Sequence, residues 1–170
     1  MPDIDDAELR QLLPRLRRFA LSLTRDPASA DDLVQASLER ALSRWDTRRT
    51  EGDIRAWLFA ILYRQFSDGK RRSRRFLRLL GWLAGEPEPA AASTEDLVLA
   101  KAALGALGEL PDEQRALLVL IVVEGASYRE AAQILGVPVG TVMSRLSRAR
   151  QLLRSMVDGE AGRPRLRVVR

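Results

Sequence analysis

Apolar positions recur at helical spacing along most of the chain. Leu9, Leu12, Leu13, Leu16, Phe19, Ala20 and Leu23 follow the i, i+3, i+4, i+7 rule of an amphipathic helix, which Asp26-Pro27 ends. Ser29-Ala30-Asp31-Asp32 reads as an N-cap with acids in the first turn of a second helix. The stripe Val34, Leu38, Ala41, Leu42 and Trp45 forms the buried side of that helix. A polar loop follows over 46–52, and Asp53 then caps a third helix in which Ile54, Trp57, Leu58, Ile61 and Leu62 share one face. No alternating pattern bounded by turn signals occurs, so the fold class is all-α.

The periodicity breaks over 81–94, GWLAGEPEPAAAST, which holds Pro87, Pro89 and three alanines in a row. Before it, Phe76, Leu77, Leu79, Leu80, Trp82 and Leu83 cluster beside the basic run 70–75, either capping the N-terminal bundle or docking on a partner. Helical pattern resumes over 95–107, and Leu110-Pro111-Asp112 reads as a helix start with proline in the first turn. The chain therefore divides into two small helical domains, 1–80 and 95–157, joined by a flexible linker, with a disordered basic tail over 158–170.

The sharpest local pattern lies between 127 and 154. Ser127 and Glu130 have capping-box spacing, and Ala131, Ala132, Ile134 and Leu135 bury one side of a short helix. Gly136 supplies a turn, and Val137-Pro138 leads into a helix burying Val142, Leu146, Ala149, Leu153 and Met156. Its opposite face shows Thr141, Ser144, Arg145 and Arg148. This is the layout of a helix-turn-helix, whose second helix presents polar residues to base edges in the major groove.

Composition narrows the chemistry. With 0 Cys and 0 His, disulfides, thiolate metal sites and the Ser-His-Asp triad are excluded. The net charge of +5 hides alternating blocks. Residues 46–85 carry 10 basic and 4 acidic side chains, 86–124 carry 2 and 8, and 125–170 carry 9 and 3. Two basic surfaces with an acidic spacer suit a polyanion. The start MPDIDDAELR lacks a signal-peptide core and no run approaches membrane length, so a cytoplasmic protein without membrane insertion is expected.

Two faces in the N-terminal half stand apart from the core pattern. Asp32, Gln35 and Glu39 line the second helix away from its apolar stripe, suiting either a basic protein surface or plain solvation. Opposite Ile54 and Leu58, the third helix carries Phe59, Tyr63, Phe66 and Lys70, flanked by Arg55 and Arg64. Rings among bases suit unpaired nucleotides, whereas a bundle buried on both faces would claim Phe59 and Phe66 as core.

These residues resemble a known family. Asp31-Asp32-Leu33-Val34-Gln35 with Arg40-Ala41, Arg55-Ala56-Trp57-Leu58 with Ile61 and Asp68, and the basic run to Arg72 are similar to the second conserved region of sigma-70-type transcription initiation factors. Leu110-Pro111, Gln114-Arg115, Ser127-Tyr128, Glu130-Ala131-Ala132, Leu135-Gly136, Gly140-Thr141-Val142, Ser144-Arg145-Leu146 and Arg148-Ala149-Arg150 resemble the fourth. The two-region layout is that of the extracytoplasmic-function (ECF) subgroup. The resemblance implies a sigma factor without cofactor or catalysis. Its partners would be core RNA polymerase (the β′ clamp helices and the β subunit), promoter DNA and an anti-sigma factor. It places Asp31, Asp32, Gln35 and Glu39 against the polymerase. The −10 element falls to Arg48, Arg49, Phe59, Tyr63, Arg64, Lys70, Arg71 and Arg72, and the −35 element to Thr141, Ser144, Arg145 and Arg148. Three positions depart from the family pattern: Ala36 stands where an acid is common, Tyr63-Arg64 replaces a frequent Arg-Asn, and Met143 replaces a frequent lysine.

Two other readings stand beside this one. A dimeric helix-turn-helix repressor would bind duplex tightly without polymerase. A metal-dependent nuclease would draw Asp31, Asp32 and Glu39 into one cleft.

Overall fold

The computed structural model describes residues 6–47, 53–80 and 107–161. Helix α1 (Asp6–Thr24) is followed by α2 (Pro27–Ser43), a single 3-10 turn (Trp45–Thr47) and α3 (Ile54–Leu80). In the C-terminal half α4 (Asp112–Leu118) runs into a π turn (Val119–Val123), then come α5 (Tyr128–Leu135) and α6 (Val139–Ala161). No strand occurs among the described residues.

Local chemistry sets the helix boundaries. Asp26, not Ser29, caps α2: its carboxylate accepts from the Ser29 amide at 2.8 Å, and Pro27 fixes the first helical position. The cap therefore sits three residues earlier than the sequence pattern indicates, and Asp31 and Asp32 fall beyond the first turn. At α3 the expected cap is present, with Asp53 Oδ1 accepting from the Arg55 amide at 2.8 Å. Pro111 occupies the cap of α4 instead of its first turn, its extended carbonyl accepting from Gln114 and Arg115 at 2.9 and 3.0 Å. The Ser127–Glu130 capping box closes in both directions, at 3.2 and 2.7 Å. Gly136 ends α5 at φ 66°, a left-handed conformation that a Cβ would strain.

The N-terminal core is built from Leu12, Leu16, Phe19, Ala20 and Leu23 of α1 against Ile54, Leu58, Phe59, Ile61 and Leu62 of α3. Two corrections to the sequence pattern arise here. Helix α2 buries Ala30, Ser37 and Ala41, small residues about two turns and then one turn apart that let its backbone approach α1 and α3. Ser37 stays satisfied by donating to the Leu33 carbonyl at 2.6 Å, while Leu42 points outward and is 54% exposed. Phe59, expected on the nucleic-acid face, is core: it is 1% exposed, with its ring 5.2 Å from that of Phe19. Both faces of α3 are covered because α1 and α2 pack on one side and α5 on another.

The C-terminal core joins Leu117 and Leu120 to Ala131, Ala132, Ile134, Val142, Leu146 and Ala149, continuous with the N-terminal core. Helix α6 runs past residue 157, where the sequence pattern ends the domain. The linker 81–94, Arg48, Arg49, the side chains of the 76–83 cluster and of Met156, and residues 162–170 lie outside the described residues.

Candidate nucleic-acid interface and docking groove

Helices α1 and α2 leave an open groove between them. Its floor is apolar, from Leu13, Pro14, Val34, Leu38 and Leu42, and Arg17, Asp31, Gln35 and Glu39 form its rim. Sequence periodicity counted Leu42 as core. Ala41 of the same stripe, one residue back and about 100° around the helix, is buried as expected while Leu42 is not. Of the expected acidic face, Asp32 is exposed, Gln35 donates to Glu39 at 3.2 Å, and Asp31 accepts two hydrogen bonds from Arg17 at 2.6 and 3.2 Å. The Arg17 hydrogen bonds hold the Asp31 carboxyl below the usual aspartate range. The groove thus presents an apolar strip edged by acids. Among the described residues no group of carboxylates converges as metal ligands, and all three proposed for a nuclease lie along α2.

On α3 the expected −10 residues separate into three environments. Arg64, Lys70, Arg71 and Arg72 are exposed, with the Lys70 ammonium 5.4 Å from the centre of the Phe66 ring. Tyr63 is 9% exposed and sits beside Glu113 and Arg145 of the C-terminal half. Burial, and next the Glu113 carboxylate, push its phenol above the ordinary tyrosine range. Phe59 lies in the core and offers no ring to a base. Arg55, read as a flank of this surface, points instead to Glu130 Oε1 at 2.8 Å and the Glu124 carbonyl at 2.9 Å.

The helix-turn-helix forms as the spacing indicates, α5 and α6 packing through Ala131, Ala132, Val142 and Leu146 across Gly136. Ser144 and Arg148 are exposed and Thr141 is half-buried. Arg145 is 22% exposed and pairs with Glu113 Oε2 at 2.7 Å. Met143, 53% exposed, lies on the same outward side.

Sequence reasoning missed two residues that join the halves. Arg115, 4% exposed, donates to the Ser22 carbonyl near the end of α1 and to the Leu110 carbonyl at 3.0 Å, and pairs with Asp112 at 2.6 Å. Burial lowers its pKa from the ordinary arginine value. Glu124, also 4% exposed, takes Arg15 at 2.6 Å and Arg18 at 3.1 Å. A charged residue closing the apolar run ALLVLIVV was the available signal for Glu124. Its partners, more than 100 residues away, have none.

With this geometry in place, comparisons with known proteins identify the two halves. Residues 100–153 match the family described as Sigma-70, region 4, and residues 9–63 match the Sigma2 domain of PhyR. The chain is 40% identical over 150 residues to the ECF RNA polymerase sigma factor EcfG of Rhodopseudomonas palustris (strain TIE-1), covering 86% of this chain and 82% of that one. It is 37% identical over 146 residues to SigL of Mycobacterium tuberculosis, covering 82% and 80%. Among solved structures it is similar to the sigma factor RpoE of Bartonella quintana in complex with the anti-sigma factor NepR. That match has a TM-score of 0.73 and 35% identity over 89% of this chain and 95% of that one. CnrH in complex with the cytosolic domain of CnrY follows at a TM-score of 0.64 and 28% identity, covering 92% and 91%. No described helix is long and apolar enough to cross a membrane. The repressor reading finds no support in these relatives, and the chain belongs to the ECF RNA polymerase sigma factors.

Proposed function

We propose that the two halves divide the work of promoter-specific initiation. Residues 1–80 bind core polymerase and the −10 element, and residues 95–157 bind the −35 element. The observation that carries this reading is the exposed face of α6, with Ser144 and Arg148 outward, held at the helix-turn-helix crossing by Gly136. The α1–α2 groove takes the polymerase β′ clamp helices, its apolar floor supplying burial and its acids supplying register. Tyr63, Arg64, Lys70, Arg71 and Arg72, with Arg48 and Arg49 of the preceding loop, hold the opened −10 strand through stacking and phosphate neutralisation. Like the relatives solved with NepR and CnrY, this chain takes an anti-sigma partner. It acts in the cytoplasm as a regulator without catalysis of its own. Transcription from a promoter library by core polymerase, with and without the chain, tests the assignment. Defined start sites appear only when the chain is present, and identical transcripts in both reactions would refute it.

At the −35 element Arg145 exchanges Glu113 for DNA. If it pairs with a guanine edge, Arg145→Ala costs about 1–3 kcal/mol and relaxes preference at one position. Footprinting of the holoenzyme on a set of −35 variants measures both quantities. Uniform weakening across the set would assign Arg145 to a phosphate, and unchanged binding would remove it from the interface.

A further inference from the structure

The residues assigned to the −35 element read DNA through polar groups, yet the recognition helix also exposes a large apolar side chain. Val142, Leu146 and Ala149 fix the buried side of α6. On the outward side Ser144 is exposed, with Met143 about 100° round the helix to one side and Arg145 about 100° to the other. Arg145 is held at 2.7 Å by Glu113 of α4, within the same half of the chain. Met143 is 53% exposed. It is the fifth residue of α6, in the N-terminal stretch that a helix-turn-helix lays against base edges. Helical side chains lean toward the N-terminus, so Met143 leans over Gly140, one turn back, where even a Cβ would meet nothing within 4 Å.

The flank that Met143 opens continues along the helix. Tyr128 of α5 and Met143, Ser147, Arg150, Gln151 and Arg154 of α6 line a shallow groove. Arg150 stands about 10 Å beyond Met143 along the axis, at roughly 1.5 Å per residue. That is close to the ~12 Å width of the major groove, so a helix that brings Met143 to the base edges brings Arg150 to the phosphate wall. Chemistry then limits what Met143 reads. A thioether donates no hydrogen bond and accepts only weakly, so the polar edges of guanine, cytosine and adenine give it nothing to select. Thymine alone among the four bases displays an apolar group there, its C5-methyl. A flexible, polarisable side chain moulds itself to such a target. A lysine here, as the family pattern has, would take a phosphate and carry no base preference.

We propose that Met143 is a specificity-determining residue of the −35 half, packing its thioether on the C5-methyl of a thymine in the major groove while Arg150 holds the flanking phosphate. The role rests on the −35 assignment above. The test uses the full chain with core polymerase on a promoter selected from the library. Each −35 thymine of either strand is replaced in turn by deoxyuridine, which removes the methyl and nothing else. One replacement weakens holoenzyme binding about fourfold, the value of one methyl-sized group taken out of water. Met143→Ala, at an exposed helical position that suits alanine, binds that duplex and its thymine parent equally. Met143→Lys does the same, and its affinity falls more steeply with salt, by about one unit of logarithmic slope, as a new phosphate contact requires. Arg150→Gln weakens thymine and deoxyuridine duplexes alike. A −35 element with no methyl-sensitive thymine, or a sensitivity that survives Met143→Ala, overturns the proposal. Tighter binding only when a −35 cytosine is 5-methylated overturns thymine as the base read. Absence of any −35 footprint on the unmodified promoter overturns the −35 assignment itself, and the role of Met143 with it.

Discussion

Phe59→Ala is expected to cost about 3–5 kcal/mol of folding stability, a large share of the roughly 5–15 kcal/mol that holds a domain together. Phe59 is 1% exposed and packs against Phe19 at the meeting of α1 and α3, with Leu16, Leu58 and Leu62 in the same core, so truncation leaves a cavity that three helices cannot close. Urea unfolding followed by circular dichroism checks this, because the midpoint should fall sharply with little change in slope. A protein of normal stability that failed only in strand opening would return Phe59 to the DNA face, the role its sequence position suggested. Tyr63, four residues on and one turn along the same helix, sits instead at the contact between the halves. One turn of helix separates a ring in the N-terminal core from a ring at the contact between the halves.

Reversing the charge of the exposed acids of α2 should affect binding and leave folding alone. Asp32 and Glu39 are exposed, so Asp32→Lys with Glu39→Lys should change stability by no more than about 0.5 kcal/mol. Association with core polymerase should weaken by more than about thirtyfold, the ~2 kcal/mol expected when central contacts of an interface are lost. Leu42→Asp is the companion substitution: its side chain is 54% exposed in the free chain yet lies on the groove floor. It should weaken binding comparably by placing a charge where apolar contact forms. Titration of labelled core polymerase with each variant measures the loss. Undiminished affinity in both would return α2 to a solvated face and move the polymerase contact elsewhere.

Sequence periodicity was enough for the all-α class, the helix-turn-helix, its capping box and its glycine turn, because each depends on residues at most four apart. The local signal became ambiguous where two sites compete for one role. Asp26-Pro27 and Ser29 both make acceptable helix starts, and proline together with the Asp26 side chain decided for the earlier one. Leu42 and Ala41 both fit a helical stripe, and only the close approach of α1 and α3 selected the small residue for the interior. An aromatic-basic stripe on α3 is legible as a pattern, yet whether a given ring is covered depends on how many helices pack around it. That number is set by contacts such as α3 with α5, tens of residues apart in the chain. The least legible feature is the joint between the halves. Glu124 and Arg15 are 109 residues apart, and one buried carboxylate satisfied by two distant arginines follows no periodicity. Short-range hydrogen bonding and side-chain spacing determined the elements and their family. Desolvation at the place where the two halves meet decided which of their charged and aromatic residues are free to act.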